Sequence, residues 1–412
     1  MKSIYRLFIT TTVGSLIFFL SCAQEPTTSL FYEDYLQNSK PNPVISSIDP
    51  PLGTFSGISV ITIDGQNFSN NVAENHVFFN GLKGQVQAAT TTRLTVKVPV
   101  VVSDSVLIKV RVDGAFLFAD FFPYRLSRAA IPFKAVTEYI NAYSLACDKN
   151  ENIYFFRVDD RDIARVADPD SALEVYGAAG APLNCTGMRF GLDGALYHLR
   201  NNRSLYRIPA GGGQRELFNN IFTVNVGDLD FDANGILFAG GTGGMLFSVD
   251  ITDMSVFQVA DYSGYRISAL RVLNNDLYVA ANWAGTVDPP SFTEGIWKHA
   301  ILSDTTLGPR QEVFDWKSRV GEQGPSILTM TFDEDGILYA GLDKGDIAIM
   351  MIDLLTGTTE PLYKEILSAP ISYMVWGNSK YLYINYRASD VKQRTIIRVE
   401  LTKNGAPYYG RR

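Results

Sequence analysis

FDANGILFAG occupies residues 231–240 and FDEDGILYAG occupies residues 332–341. The two stretches differ at three of ten positions and start 101 residues apart. Each closes one apolar run, turns through Asp-x-Asn/Asp-Gly and resumes with Ile-Leu-Phe/Tyr. The acidic turn admits three readings: a calcium loop, a catalytic acid pair or a hairpin turn. A calcium loop needs a set of oxygens at fixed spacing followed by a later Glu. Asp333, Glu334 and Asp335 offer too few.

The twin stretches belong to a longer series. Aligned on the aromatic that closes each turn-and-strand unit, the series runs Tyr154, Tyr197, Phe238, Tyr278, Tyr339 and Tyr383. The steps are 43, 41, 40, 61 and 44 residues. Three of the other copies carry KNEN, GLDG and NSKY at the turn, so the carboxylates are not kept around the series. Asn, Asp and Gly at a hairpin turn are explained by left-handed backbone and local side-chain bonds alone. A period near 40 with about four strands per copy marks a β-propeller, and six copies imply six blades. The last copy lacks a clear fourth strand. The segment 132–139, PFKAVTEY, has that character and is expected to close the ring by pairing the first strand with the last blade. Over 130–412 the repeats resemble NHL-like and related six-bladed propellers.

The N-terminus reads as a targeting segment. Lys2 and Arg6 precede the apolar run FITTTVGSLIFFL, and Phe19-Leu20-Ser21-Cys22 follows. This resembles a bacterial lipoprotein signal peptide, with Phe in place of the usual Leu. The resemblance implies removal of 1–21, a lipid on Cys22 and anchoring in the membrane. Ala23 is compatible with outer-membrane sorting, and 22–42 reads as a tether. From residue 43 short alternating strands begin. The features Ile48-x-Pro50, Gly53, Gly57, ITIDGQNF ending at Phe68, VFFNG, LTVKVP and Phe122-x-Tyr124 fall in order. They resemble the immunoglobulin-like IPT/TIG domain over 43–126. The expected fold class is therefore all-β, a small β-sandwich followed by a propeller.

Composition agrees. Aromatics make up 12% of the 412 residues and charged residues 19%, with a net charge of −7. No basic stripe is present, so no nucleic-acid partner is expected. Apart from Cys22, only Cys147 and Cys185 remain, too few for a disulfide framework.

In a propeller the loops between second and third strands, and those between blades, crowd one face of the channel. One such loop, 282–295, is twice the length of its peers, and the blade-to-blade segment 316–326 is also long. Long loops in compact domains are often functional. Trp283, Asn282, Trp316, Tyr262, Tyr265 and Arg266 are the candidate ligand-binding residues, forming an aromatic platform with polar neighbours suited to a sugar. No catalytic residue, metal site or cofactor is assigned. The three histidines, His76, His198 and His299, sit in no metal-binding motif. Lipoproteins joining these two parts resemble accessory surface proteins of SusC/SusD-type uptake systems. That implies a cell-surface protein that binds a glycan or other nutrient, or a partner, beside a TonB-dependent transporter. A protein scaffold and a metal-dependent lactonase- or lyase-like enzyme remain as alternatives.

Overall fold

The computed structural model describes residues 39–137, 139–180, 184–286 and 288–411. The signal segment, Cys22 and most of the expected tether lie outside the described residues. The chain divides into two compact units, one ending at Leu126 and the other running from Ser127 with the short insertion Phe55–Ile58.

The first unit is a sandwich of two antiparallel sheets. One orders Val44–Asp49, Val60–Gln66, Arg93–Lys97 and Gln85–Ala89; the other orders Gly53–Phe55, Ala119–Ser127, Ser103–Val112, Asn75–Phe79 and Leu82–Lys83. Alternation puts Ile61, Ile63, Leu94 and Val96 of the first sheet against Val77, Phe79, Ile108 and Val110 of the second, all fully buried. Tyr124 donates its hydroxyl to the Pro50 carbonyl at 2.9 Å. Pairing begins earlier than residue 43. The Lys40 amide bonds the Gly114 carbonyl at 2.7 Å, so 40–42, expected in the tether, join the sandwich. His76 lies on the strand Asn75–Phe79, with Nε2 3.1 Å from Asp113.

Among the described residues the second unit holds six sheets, the six expected blades, antiparallel except where Gly177 and Ala178 pair in parallel with Gly213 and Gln214. Their inner strands are Ala142–Cys147, Gly187–Phe190, Asp228–Phe231, Tyr265–Leu273, Ile327–Phe332 and Ile371–Trp376, each beside the next around a closed ring. The closing strand is Ala130–Pro132, paired with Ile397–Val399 of the last blade. It precedes most of the expected segment 132–139, because Phe133 turns inward and packs at 6.1 Å on Tyr383. Four of the six aligned aromatics are joints between blades. Tyr154 meets Phe190 at 4.9 Å, Tyr197 meets Phe231 at 5.4 Å, Tyr278 meets Phe332 at 4.8 Å and Tyr339 meets Trp376 at 4.9 Å. Each pair links the second strand of one blade to the inner strand of the next, and tilted or edge-on rings add about 0.5–1.5 kcal/mol beyond burial. Cys147 and Cys185 are buried thiols outside any disulfide.

Candidate functional site

Strand irregularity creates the main cavity. The ladder between first and second strands slips in four blades: between Tyr143 and Ala146, Ile267 and Ala269, Ile327 and Thr329, and Ile371 and Tyr373. A bulge inserts an unpaired residue and re-aims its side chain. The inserted residues, Ser144 with Leu145, Ser268, Leu328 and Ser372, all line one cavity of about 430 Å³ at the start of the inner strands. The two regular blades contribute Gly187 and Gly227 at the same level. A Cβ on Gly187 would stand 2.7 Å from the Gly227 carbonyl, so the close approach there needs glycine.

Loops between second and third strands supply Asn201, Thr242 and Asp343 to the rim, and the end of the strand Asp276–Trp283 supplies Asn282. Arg189 and Arg271, almost fully buried, form the floor. Arg271 Nη1 donates to Asp228 Oδ2 at 3.1 Å and to the Leu270 carbonyl. The same Asp228 oxygen accepts the Leu270 amide at 2.9 Å. Asp230, one step deeper, accepts the Val272 amide at 2.8 Å and lies 3.7 Å from Arg189. Burial raises the Asp230 pKa against the pull of both guanidiniums, and lowers that of Arg271.

Two oxygens distinguish the cavity wall. Thr186 Oγ1 and Asn282 Oδ1 are buried and have no protein partner. Buried polar atoms are normally hydrogen-bonded, and leaving one unpaired costs about 1–3 kcal/mol. Both atoms therefore call for water or a ligand hydroxyl. The surrounding Ser and Thr hydroxyls can each donate and accept. The carboxylates are engaged: Asp343 Oδ1 accepts the Ser326 amide at 2.8 Å, and Asp228 is held as above. Among the described residues no group of three or more His, Cys, Asp or Glu side chains is placed to hold a metal.

The expected aromatic platform is not what the fourth blade presents. Tyr262 is fully buried, its hydroxyl 3.0 Å from His299 Nε2. Tyr265 donates to the Phe292 carbonyl at 2.8 Å. Trp316 is 1% exposed, opens a short helix, Trp316–Val320, and donates to the Pro325 carbonyl at 2.7 Å. Trp283 is half-buried, edge-on to Tyr265 at 5.2 Å, and packs over Gly264 and Gly285. The physical reason is loop length. The long loop folds Phe292 onto Trp297 at 4.5 Å, and the neighbouring aromatics make the core that holds it. Asn282 and Arg266 differ from these four. They are paired across adjacent strands and both line the cavity. Thr186, the bulged serines and the two buried arginines were not among the sequence candidates. A Ser interrupting an apolar inner strand, as in ISAL and ISYM, is the signal that could have found them.

A second, smaller space of about 40 Å³ lies beyond the arginine floor, lined by Thr331, Phe332, Trp376, Ala406, Pro407 and Tyr408. Here the C-terminal tail crosses the ring. The Ala406 amide bonds the Phe332 carbonyl at 3.0 Å, and the Tyr408 hydroxyl bonds the Phe190 carbonyl at 2.7 Å. The fifth and second blades lie opposite one another, so the tail spans a diameter and caps that mouth.

Comparison with known proteins agrees with this architecture. Residues 43–124 match the IPT/TIG domain. No curated protein sequence matches the chain. Among solved structures, a candidate phosphatase from Bacteroides thetaiotaomicron is 12% identical, with a TM-score of 0.52 over 87% of this chain and 97% of that one. A candidate gluconolactonase is 14% identical, with a TM-score of 0.50 over 68% of this chain and 94% of that one. An auxiliary nutrient binding protein, also from B. thetaiotaomicron, is 12% identical, with a TM-score of 0.48 over 87% and 97%. At such identities the likeness concerns fold alone. The chain is an IPT/TIG domain followed by a six-bladed β-propeller.

Proposed function

We propose that this chain is a lipid-anchored outer-membrane protein whose propeller captures a small, hydroxyl-rich nutrient in the channel mouth. On this reading it is non-catalytic and serves a TonB-dependent transporter of the SusC/SusD type. The observation that carries it is the polar cavity of about 430 Å³ with two buried oxygens, on Thr186 and Asn282, awaiting partners. That volume falls within the range of small-molecule sites. A sugar's hydroxyls match a wall of Ser, Thr, Asn and Arg side chains. The anchor rests on the lipobox at Cys22, and the transporter on the resemblance of the joined parts. The weight falls on the cavity, not on the structural neighbours.

Calorimetric titration of the purified chain with a panel of mono- and disaccharides tests the reading. Thr186→Val and Asn282→Leu are each expected to weaken the best ligand by about tenfold, roughly 1.4 kcal/mol. Trp283→Ala, at a residue whose side chain does not line the cavity, should bind as the wild type does. If the Trp283 variant alone loses binding, the ligand sits on the long loop and the cavity reading fails.

A further inference from the structure

The sandwich carries three consecutive exposed apolar side chains at one hairpin tip. Phe116 is 65% exposed, Leu117 55% and Phe118 48%, between strands Ser103–Val112 and Ala119–Ser127. Contiguous exposed apolar side chains commonly mark a contact surface. We infer that this tip seats in the lipid interface of the membrane to which the chain is anchored.

Two observations favour lipid as the occupant. The first concerns the backbone. Lipid offers no hydrogen bonds, so an inserted loop must satisfy its own polar groups. Asn42 Oδ1 accepts the Phe116 amide at 3.1 Å and the Leu117 amide at 2.8 Å. The Ala115 amide bonds the Val112 carbonyl at 3.0 Å. Three successive amides, of Ala115, Phe116 and Leu117, are thus paired within the domain, while the Phe116 and Leu117 side chains are exposed. The second concerns where the preceding chain arrives. Lys40 pairs with Ala115, so residues 23–39 lead from Cys22 to the tip itself and not to the far end of the sandwich. Even fully extended, those residues reach only roughly 60 Å. A tip held that close to a bilayer meets it at high effective concentration, and weak insertion then suffices. Lys109, whose ammonium lies 5.6 Å from the Phe118 ring centroid, is paired with Asp120 at 3.8 Å beside the tip.

The inference rests on the anchor proposed above, and the test separates the two. The two remaining thiols are buried, so Leu117→Cys in the acylated chain takes an environment-sensitive fluorophore selectively. Leu52→Cys, at a site 88% exposed on another loop, is the control. In vesicles of phosphatidylethanolamine and phosphatidylglycerol, the Leu117 probe should shift to the blue and lose intensity to nitroxide-labelled lipids, while the Leu52 probe does neither. Equal, water-like emission from both sites would overturn the proposal. So would a Leu117 probe that is wet on vesicles but shielded in native membranes, which would assign the tip to a protein. Partition of the wild-type chain into the aqueous phase of a detergent separation would instead overturn the anchor.

Discussion

At Asp333 one carboxylate oxygen accepts the Asp335 and Ile337 amides at 3.0 and 2.9 Å, and the other accepts the Tyr339 hydroxyl at 3.3 Å. Asp148 treats Asn150, Asn152 and Tyr154 in the same way, and Asp193 holds Ala195 and Tyr197. The acidic turn is therefore a clamp joining a hairpin to the aromatic that reaches the next blade. In the copy with Phe238 the turn bonds persist from Asp232 to Asn234 and Ile236, but Asp232 Oδ2 has no partner. Burial raises that carboxyl's pKa. Tyr339→Phe should reproduce this state in the fifth blade and cost about 1–2 kcal/mol, read from urea unfolding. The turn reading was available in the sequence because the carboxylates vary around the series while the closing aromatic recurs. The fate of Tyr262, Tyr265 and Trp316 was not. Periodicity does not say whether an aromatic beside a long loop faces solvent or becomes the core under that loop.

At the scale of elements, the blades were legible from spacing and the cavity was not. A bulge adds one residue to a strand, so Ser268 in ISAL and Ser372 in ISYM mark an interruption of the apolar run without showing that their side chains turn toward one cavity. The C-terminal tail was equally hidden, since NGAPYYGRR has no period to register. Its anchorage lies in the second of the twin stretches. Asn404 bonds Glu334 through backbone and side chain at 3.0 and 3.1 Å, and Lys403 pairs with Asp335. The carboxylates that looked like a site hold down a strap. Farther along, a Cβ on Gly410 would stand 1.9 Å from the Phe190 carbonyl. Gly410→Val should therefore unseat the tail. Its backbone amides would then exchange with deuterium faster, while the six blades keep their protection.

Over the whole molecule, closure joins distant parts of the chain. The Glu400 amide bonds the Ala129 carbonyl at 2.7 Å, and Asn378 and Tyr383 reach back to Lys149 and Glu151. Two buried histidines make this assembly acid-sensitive. His198 stacks on Tyr206 at 4.9 Å with both ring nitrogens unpaired. Burial, then Arg200 and Arg215, depress its pKa well below the usual 6.5, and burial also lowers that of His299. The unfolded chain then binds more protons than the native one below about pH 6.5, so stability is full above that value and falls as the pH drops. The thermal midpoint should decline between pH 6.5 and 5, above the carboxylate range, and His198→Phe should flatten the decline. The crossing tail has one more consequence. With one mouth strapped shut and an ion-paired floor above it, the ring is a cul-de-sac. A ligand captured there, as proposed, must leave by the door through which it came, so any recipient has to wait at the face where loading occurs.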